Sequence, residues 1–259
     1  MKIVHLEPAL EPIFWEHVNQ DVPHYYFFAF DWKYNREKTE IFLALEEGRI
    51  EGMMLIYDRS IVQLRGSSRA ARVLSERLDL EKVELQSPEE HKSLALRKYK
   101  PTLRQGQELM LMLLHKGEET LHTRHSTDDL DASDAEEIAA AMRDADPEYW
   151  GEVNTQRIAE GMKRGSELVG IRINHQLVSV GSTRLTEWAG LIGVVATHED
   201  HRNRGYATSI VSELVKRILK KQSLAMIYVL ADNPSAIRAY TKVGFKPYKT
   251  YFFMRGERR

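Results

Sequence analysis

At 259 residues, with 42% hydrophobic and 29% charged residues, the chain has the balance of a globular protein and the length for two domains. It contains no cysteine, which excludes disulfides, thiolate metal sites and a cysteine nucleophile. A formal net charge of −1 gives no global attraction to nucleic acid, no apolar run reaches the roughly 20 residues of a spanning helix, and no signal-peptide pattern opens the chain, so a cytoplasmic protein without nucleic-acid or membrane partners is expected.

In chain order, residues 41–45, 50–57 and 61–64 carry strand patterns, and 67–78 carries a helical one. A strand at 83–85, a helix at 88–98 and a strand at 109–114 follow. The polar, acidic stretch 126–131 reads as a linker, which sets domain limits of 1–125 and 126–259.

Beyond it, Ser133 and Glu136 have capping-box spacing, and Ala135, Ile138, Ala139 and Met142 form one apolar helical stripe. Pro147 breaks that helix, and a second runs over 155–164 until Gly165 stops it. Strands are expected at 168–173, 177–185 and 191–197, the first two joined by a turn at Asn174 and His175. A polar loop over 199–205 opens a helix carrying Ile210, Val211, Leu214, Val215 and Ile218. A strand (226–230), a helix (234–243) and a last strand (248–254) complete the order α-α-β-β-β-α-β-α-β.

The N-terminal half repeats this order. Pro88 recurs at Pro234, Tyr99 at Phe245 and Pro101 at Pro247, a constant offset of 146 residues within one strand-helix-strand unit. The chain therefore reads as a tandem duplication.

The chemistry concentrates where a strand ends, a polar loop turns and a glycine opens a helix: Val195, Ala196, Thr197, then Arg202, Asn203, Arg204, Gly205, Tyr206, Ala207 and Thr208. Such a loop turns successive backbone N–H groups into one concavity, and the helix N-terminus adds its partial positive charge, which suits a pyrophosphate. Gly205 admits the phosphates close to the backbone, Ala207 keeps the first turn small, and Arg202 and Arg204 add charge. Downstream, Asn233 is placed to cap a helix that also carries Ala236 and Tyr240 and ends at Gly244.

The first segment resembles the acetyl-CoA motif Q/R-x-x-G-x-G/A of the GCN5-related N-acetyltransferases (GNAT), and the second resembles the family's N-x-x-A-x-x-x-Y-x-x-x-G-F, with an FR47-like C-terminal domain. The resemblance covers about 130–253. It implies an α/β (α+β) fold of two GNAT-like domains, each a mixed, mostly antiparallel twisted sheet flanked by helices. It also implies acetyl-CoA as co-substrate, with Val195, Ala196 and Thr197 bonding the pantetheine arm, Arg202 to Thr208 the pyrophosphate, and Asn233 and Ala236 at the cofactor side. Tyr240 matches the general acid that protonates the departing thiolate. Transfer is direct to an amine (a protein N-terminus, a lysine or a small amine), without an acyl-enzyme, and no metal is expected. The alternative is a non-catalytic acyl-CoA-binding or regulatory module.

The family's glutamates on the fourth or fifth strand have no counterpart. The strands read Leu-Ile-Gly-Val-Val from 191 and Ile-Tyr-Val from 227, and Glu187 reads as a turn residue, so the base is unassigned. His122 with His125, and His198 with His201, have ligand spacing but lie in loops. Lys216, Arg217, Lys220 and Lys221 read as a solvated helix face. In the N-terminal half, 61–66 runs straight into a helix with no polar loop, and Ser87, Leu94 and Lys98 stand where Asn233, Tyr240 and Gly244 would be. That half reads as degenerate, with a structural or substrate-shaping role.

Overall fold

The computed structural model describes residues 1–102 and 106–259. The chain divides into two compact units, Met1–Leu109 with Lys249–Arg259, and Met110–Tyr248.

The first unit contains β1 (Lys2–His5), α1 (Glu11–Val18), α2 (Tyr26–Tyr34), β2 (Thr39–Glu46), β3 (Arg49–Tyr57), β4 (Ile61–Gly66), α3 (Ser68–Glu76), β5 (Lys82–Ser87) and α4 (Lys92–Lys98). The strand β6 (Tyr99–His115) begins there and ends in the second unit. The second unit contains β7 (Asp128–Leu130), α5 (Ala135–Ala145), α6 (Pro147–Trp150), α7 (Thr155–Lys163), β8 (Ser166–Ile173), β9 (Gln176–Leu185), β10 (Gly190–Thr197), α8 (Tyr206–Lys221), β11 (Leu224–Leu230) and α9 (Pro234–Val243). The last strand, β12 (Lys246–Arg258), begins in the second unit and contributes its C-terminal residues to the first.

Strands β1 to β4 pair antiparallel in sequence order, β4 pairs parallel with β5, and β5 pairs antiparallel with the end of β12. In the second unit β7 to β10 pair antiparallel in sequence order and β10 pairs parallel with β11. Each unit thus has a mixed, mostly antiparallel sheet with helices, laid out in the same element order apart from the additional short helix α6. The hairpins close on two residues in the left-handed region, Asn174 (φ 49°) and His175 (φ 67°) between β8 and β9, as two-residue turns require.

Both faces of the second sheet are covered. On one, α8 buries Tyr206, Ile210, Leu214 and Ile218 against Val169, Val178, Ile192 and Ile227. On the other, α5 and α7 bury Ile138, Ala139, Met142 and Ile158 against Leu168, Leu177, Val180 and Ala196. The 16 residues of α8 are the long amphipathic helix that the apolar stripe from Ile210 foretells.

Two expectations are corrected. Within the expected linker 126–131, Asp128–Leu130 is an edge strand in register with β8, Asp128 opposite Gly170 and Leu130 opposite Leu168. Leu130 is buried while Asp128 and Asp129 face outward, and those charges blunt the open edge. The capping box is formed not by Ser133 and Glu136 but two residues earlier, by Asp131 and Asp134. Asp131 Oδ1 accepts from the Ser133 N–H at 2.7 Å and Asp134 Oδ2 accepts from the Asp131 N–H at 2.9 Å. No helix among the described residues is long and apolar enough to cross a membrane.

Candidate active site: a strand gap and an anion loop

The parallel ladder between β10 and β11 runs through Gly190–Ala225, Leu191–Met226 and Ile192–Ile227 and then stops. There β10 bulges. Its register with β9 shifts between Ile192 and Val195, and side chains of β9 take up the disrupted backbone groups. Ser182 Oγ accepts from the Val194 N–H at 2.9 Å, and Thr183 Oγ1 donates to the Leu191 carbonyl at 3.0 Å.

Beyond the bulge, the carbonyl of Ala196 accepts from Ser179 Oγ at 3.0 Å and the His198 N–H donates to the Val178 carbonyl at 3.0 Å. Residues 196 and 198 therefore face β9. Backbone direction alternates along a strand, so Val195 and Thr197 turn their N–H and C=O the other way, toward the side on which the β11 ladder has ended. That is a strand edge able to bond an extended amide-containing ligand. Of the three residues expected to do this, Ala196 is the one already turned toward β9.

At the end of β10 the chain makes a 3-10 turn over Glu199–His201 and passes through Asn203 (φ 62°) and Gly205 (φ 88°) into α8. Both occupy the left-handed region, which glycine enters freely and asparagine tolerates. No side chain caps the start of α8. The N–H groups of its first turn, Tyr206, Ala207 and Thr208, have no carbonyl one turn back to bond, and the helix dipole adds to their pull on an anion.

The loop is clamped by the end of α5. Asp144 Oδ2 accepts from the Glu199 N–H at 2.8 Å and from His198 Nδ1 at 2.9 Å, and the Ala145 carbonyl accepts from Arg202 at 2.8 Å. The Glu199 N–H above all, then the His198 and Arg202 charges, hold the Asp144 carboxyl below the usual carboxylate range. Arg204 donates to the Asp200 carbonyl at 3.0 Å. The two arginines thus brace the loop with one N–H each, and a guanidinium has further donors for an anion.

In α9, Asn233 is the N-cap, its Oδ1 accepting from the Ala236 N–H at 3.1 Å and from Ser235 Oγ at 2.9 Å. Ala236 stands at the margin of the apolar cluster that holds Tyr240, Ile192, Ile227, Val229 and Tyr206. The Tyr240 ring is edge-on to Phe245 with centroids 6.4 Å apart. Burial raises the Tyr240 pKa above that of a free phenol, so the hydroxyl keeps its proton at neutral pH. Gly244 ends the helix at φ 114°, with its N–H on the Tyr240 and Thr241 carbonyls.

Glu187 is exposed in the turn between β9 and β10, at the end of β10 away from the anion loop. The histidine pairs take separate partners. His122 Nε2 donates to the Lys242 carbonyl, His125 Nε2 to the Arg204 carbonyl, and His198 bonds Asp144 while His201 packs near Tyr206. On α8, Lys216 and Arg217 pair with Glu213, and Lys221 with Glu167, as a solvated charged face does. The bracing residues Ser179, Ser182 and Asp144 carry no motif, and only their positions in space reveal them.

The first unit has a counterpart gap with different contents. The ladder between β4 and β5 ends at Gln63–Gln86. Arg65, fully buried, donates to the carbonyls of Leu64 (3.0 Å) and Gln86 (3.1 Å) and to Gln63 Oε1 (3.0 Å), and lies 4.3 Å from the centroid of the Tyr251 ring. Its guanidinium thus bonds backbone on both strands of that gap. The strand then enters α3 at once, with Ser67 as a side-chain cap on the Ala70 N–H at 3.3 Å. Leu94 sits partly buried on α4.

Residues 168–254 match the model of the FR47-like protein family. No curated protein matches the chain. Among solved structures, a Drosophila protein superposes with a TM-score of 0.72 at 12% identity, covering 97% of this chain and 98% of that one. An acetyltransferase of the GNAT family from Colwellia psychrerythraea has a TM-score of 0.57 at 14% identity over 100% of both chains. A tandem GNAT protein from the clavulanic acid biosynthesis pathway has a TM-score of 0.53 at 14% identity, covering 85% of this chain and 82% of that one. At such identities the likeness is one of fold. Residues 168–254 are thus similar to the FR47-like family, on a chain that has the fold of the GNAT acetyltransferases.

Proposed function

We propose that the protein is an N-acetyltransferase that moves an acetyl group from acetyl-CoA directly to an amine, with the second unit carrying the reaction. The observation that carries this reading is a pair of features in line along one strand. The β10–β11 gap, edged by the backbone of Val195 and Thr197, leads to the uncapped N-terminus of α8 behind Gly205. The first suits the amides of a pantetheine arm, the second a pyrophosphate.

In the reaction, the neutral amine attacks the thioester carbonyl to form a C–N bond and a tetrahedral oxyanion. Collapse breaks the C–S bond, and the electron pair leaves on sulfur. Tyr240, kept protonated by burial, supplies the proton to that thiolate, and the attacking nitrogen loses its own proton to solvent. The absence of Asp, Glu and His from β10 and β11 favours amines that are already neutral near pH 7. The same absence is the observation behind the second reading, an acyl-CoA-binding module without turnover.

The cofactor claim is tested by thermal melting. Acetyl-CoA at about 100 times its Kd stabilises a protein by about 2.7 kcal/mol, a shift of several degrees. Gly205→Glu places a carboxylate at the anion site and abolishes the shift. A folded Gly205→Glu protein that binds acetyl-CoA like wild type overturns the reading of the loop. A wild-type shift without thiol release from any amine selects the binding module.

A further inference from the structure

Between β6 and β7 the chain has no regular structure, yet it is tied to the second unit residue by residue. The Thr120 N–H bonds the Val243 carbonyl at 2.9 Å, the His122 N–H bonds Ser212 Oγ at 2.9 Å, and the His125 N–H reaches Ser209 Oγ at 3.4 Å. Ser209 and Ser212 are buried polar residues of α8, 2% and 0% exposed, and their hydroxyls are the acceptors for this strap. The strap ends at the anion loop. There His125 Nε2 donates to the Arg204 carbonyl at 3.0 Å, and its ring packs on Tyr206 with centroids 4.5 Å apart.

We propose that His125 is a positioning residue for the diphosphate of acetyl-CoA, setting the direction in which the loop presents its amides. This rests on reading the loop as the pyrophosphate site. The Arg204–Gly205 peptide is planar and trans, so its C=O and its N–H point in opposite directions. A ring that holds the Arg204 carbonyl therefore turns the Gly205 N–H to the face away from the strap. Gly205 at φ 88° has no Cβ to restrict rotation of that peptide, so an external tether does the restricting. Tyr206, on which the imidazole rests, is 6% exposed and fixed in the α8 core, which in turn fixes the imidazole. The carbonyl is an acceptor, so the tether places a proton on Nε2 of the ring.

The test compares binding of CoA with that of S-acetylpantetheine, which has the arm and lacks the diphosphate. His125→Ala and His125→Phe remove the donor, the second keeping an aromatic ring against Tyr206, whereas His125→Gln keeps an amide N–H at similar reach. One hydrogen bond of ordinary strength corresponds to a factor of about 2 to 12 in Kd. His125→Ala and His125→Phe should weaken CoA by about that factor and leave S-acetylpantetheine unchanged, and His125→Gln should stay within about twofold of wild type for both. Unchanged CoA affinity in the Ala and Phe variants overturns the proposal. So does a parallel loss of both ligands with a fallen melting temperature, which is the signature of a merely structural strap. Wild-type protein that binds S-acetylpantetheine but gains nothing from the diphosphate overturns the loop reading itself, a failure separate from that of His125.

Discussion

In the proposed reaction, the proton for the departing thiolate comes from Tyr240. Its ring is a core side chain and its hydroxyl the proposed acid, and substitution separates the two. Tyr240→Phe removes one oxygen and keeps the ring in its cluster with Ile192, Ile227 and Val229. General acids contribute about 10²–10⁴-fold, so kcat should fall by that factor while melting temperature and CoA affinity stay close to wild type. A purely structural tyrosine gives the reverse, lowered stability with normal turnover, and stopped-flow measurement of the chemical step tells them apart. A second expectation concerns the amine. A lysine amine with pKa near ~10.4 costs about 4.6 kcal/mol to deprotonate at pH 7, and an α-amine near ~7.8 about 1 kcal/mol. With no carboxylate or imidazole on β10 or β11, α-amines should be acetylated several hundredfold faster than lysine side chains in peptides. Equal rates would mean that a base acts from elsewhere.

At the scale of elements, the junction of α9 and β12 shows how one backbone position is fixed twice. Gly244 needs φ 114°, and a Cβ there would stand 2.5 Å from the Glu118 carbonyl oxygen of the strap. Gly117 also has positive φ, 94°, but has open space around it. Gly117→Ala should cost only the left-handed strain of about 1 kcal/mol, whereas Gly244→Ala adds a backbone collision, and its melting temperature should fall markedly further. Equal falls would show that the strap yields. The same junction explains what the sequence made legible. The bounds of α9 are readable because Asn233 caps, Pro234 fits the first turn and Gly244 stops the helix, three local signals that agree. The turn from β10 into α8 is readable for the same reason, as a strand, a polar turn and a glycine in order. By contrast, β7 is hidden because two of its three residues are aspartates, and only pairing with β8 makes it a strand. The strap and its serine acceptors on α8 are hidden because a hydrogen bond between residues 84 or 90 positions apart leaves no local pattern. The two His-x-x-His spacings say nothing of where the rings turn, and His122, His125 and His198 each bond a different group.

At the scale of the whole molecule, the two units share an element order, α6 aside, and differ at the gap between their parallel strands. In the first, Arg65 bonds backbone on both sides of the gap, and Ser67 caps α3 where the second unit leaves its helix uncapped. Titration calorimetry should therefore find one CoA per chain, and a fitted value near two would show that the first unit binds despite Arg65. Direct transfer from acetyl-CoA to an amine is tested by following both products together. Free thiol and intact protein mass are followed after mixing the protein with acetyl-CoA, with and without a panel of α-amine peptides. Direct transfer gives thiol release only when an amine is present, an acetylated peptide in equal amount, and a protein mass that never rises by an acetyl group. Stoichiometric acetyl-protein formed without amine and then consumed by it, or no thiol release with any amine, would contradict it.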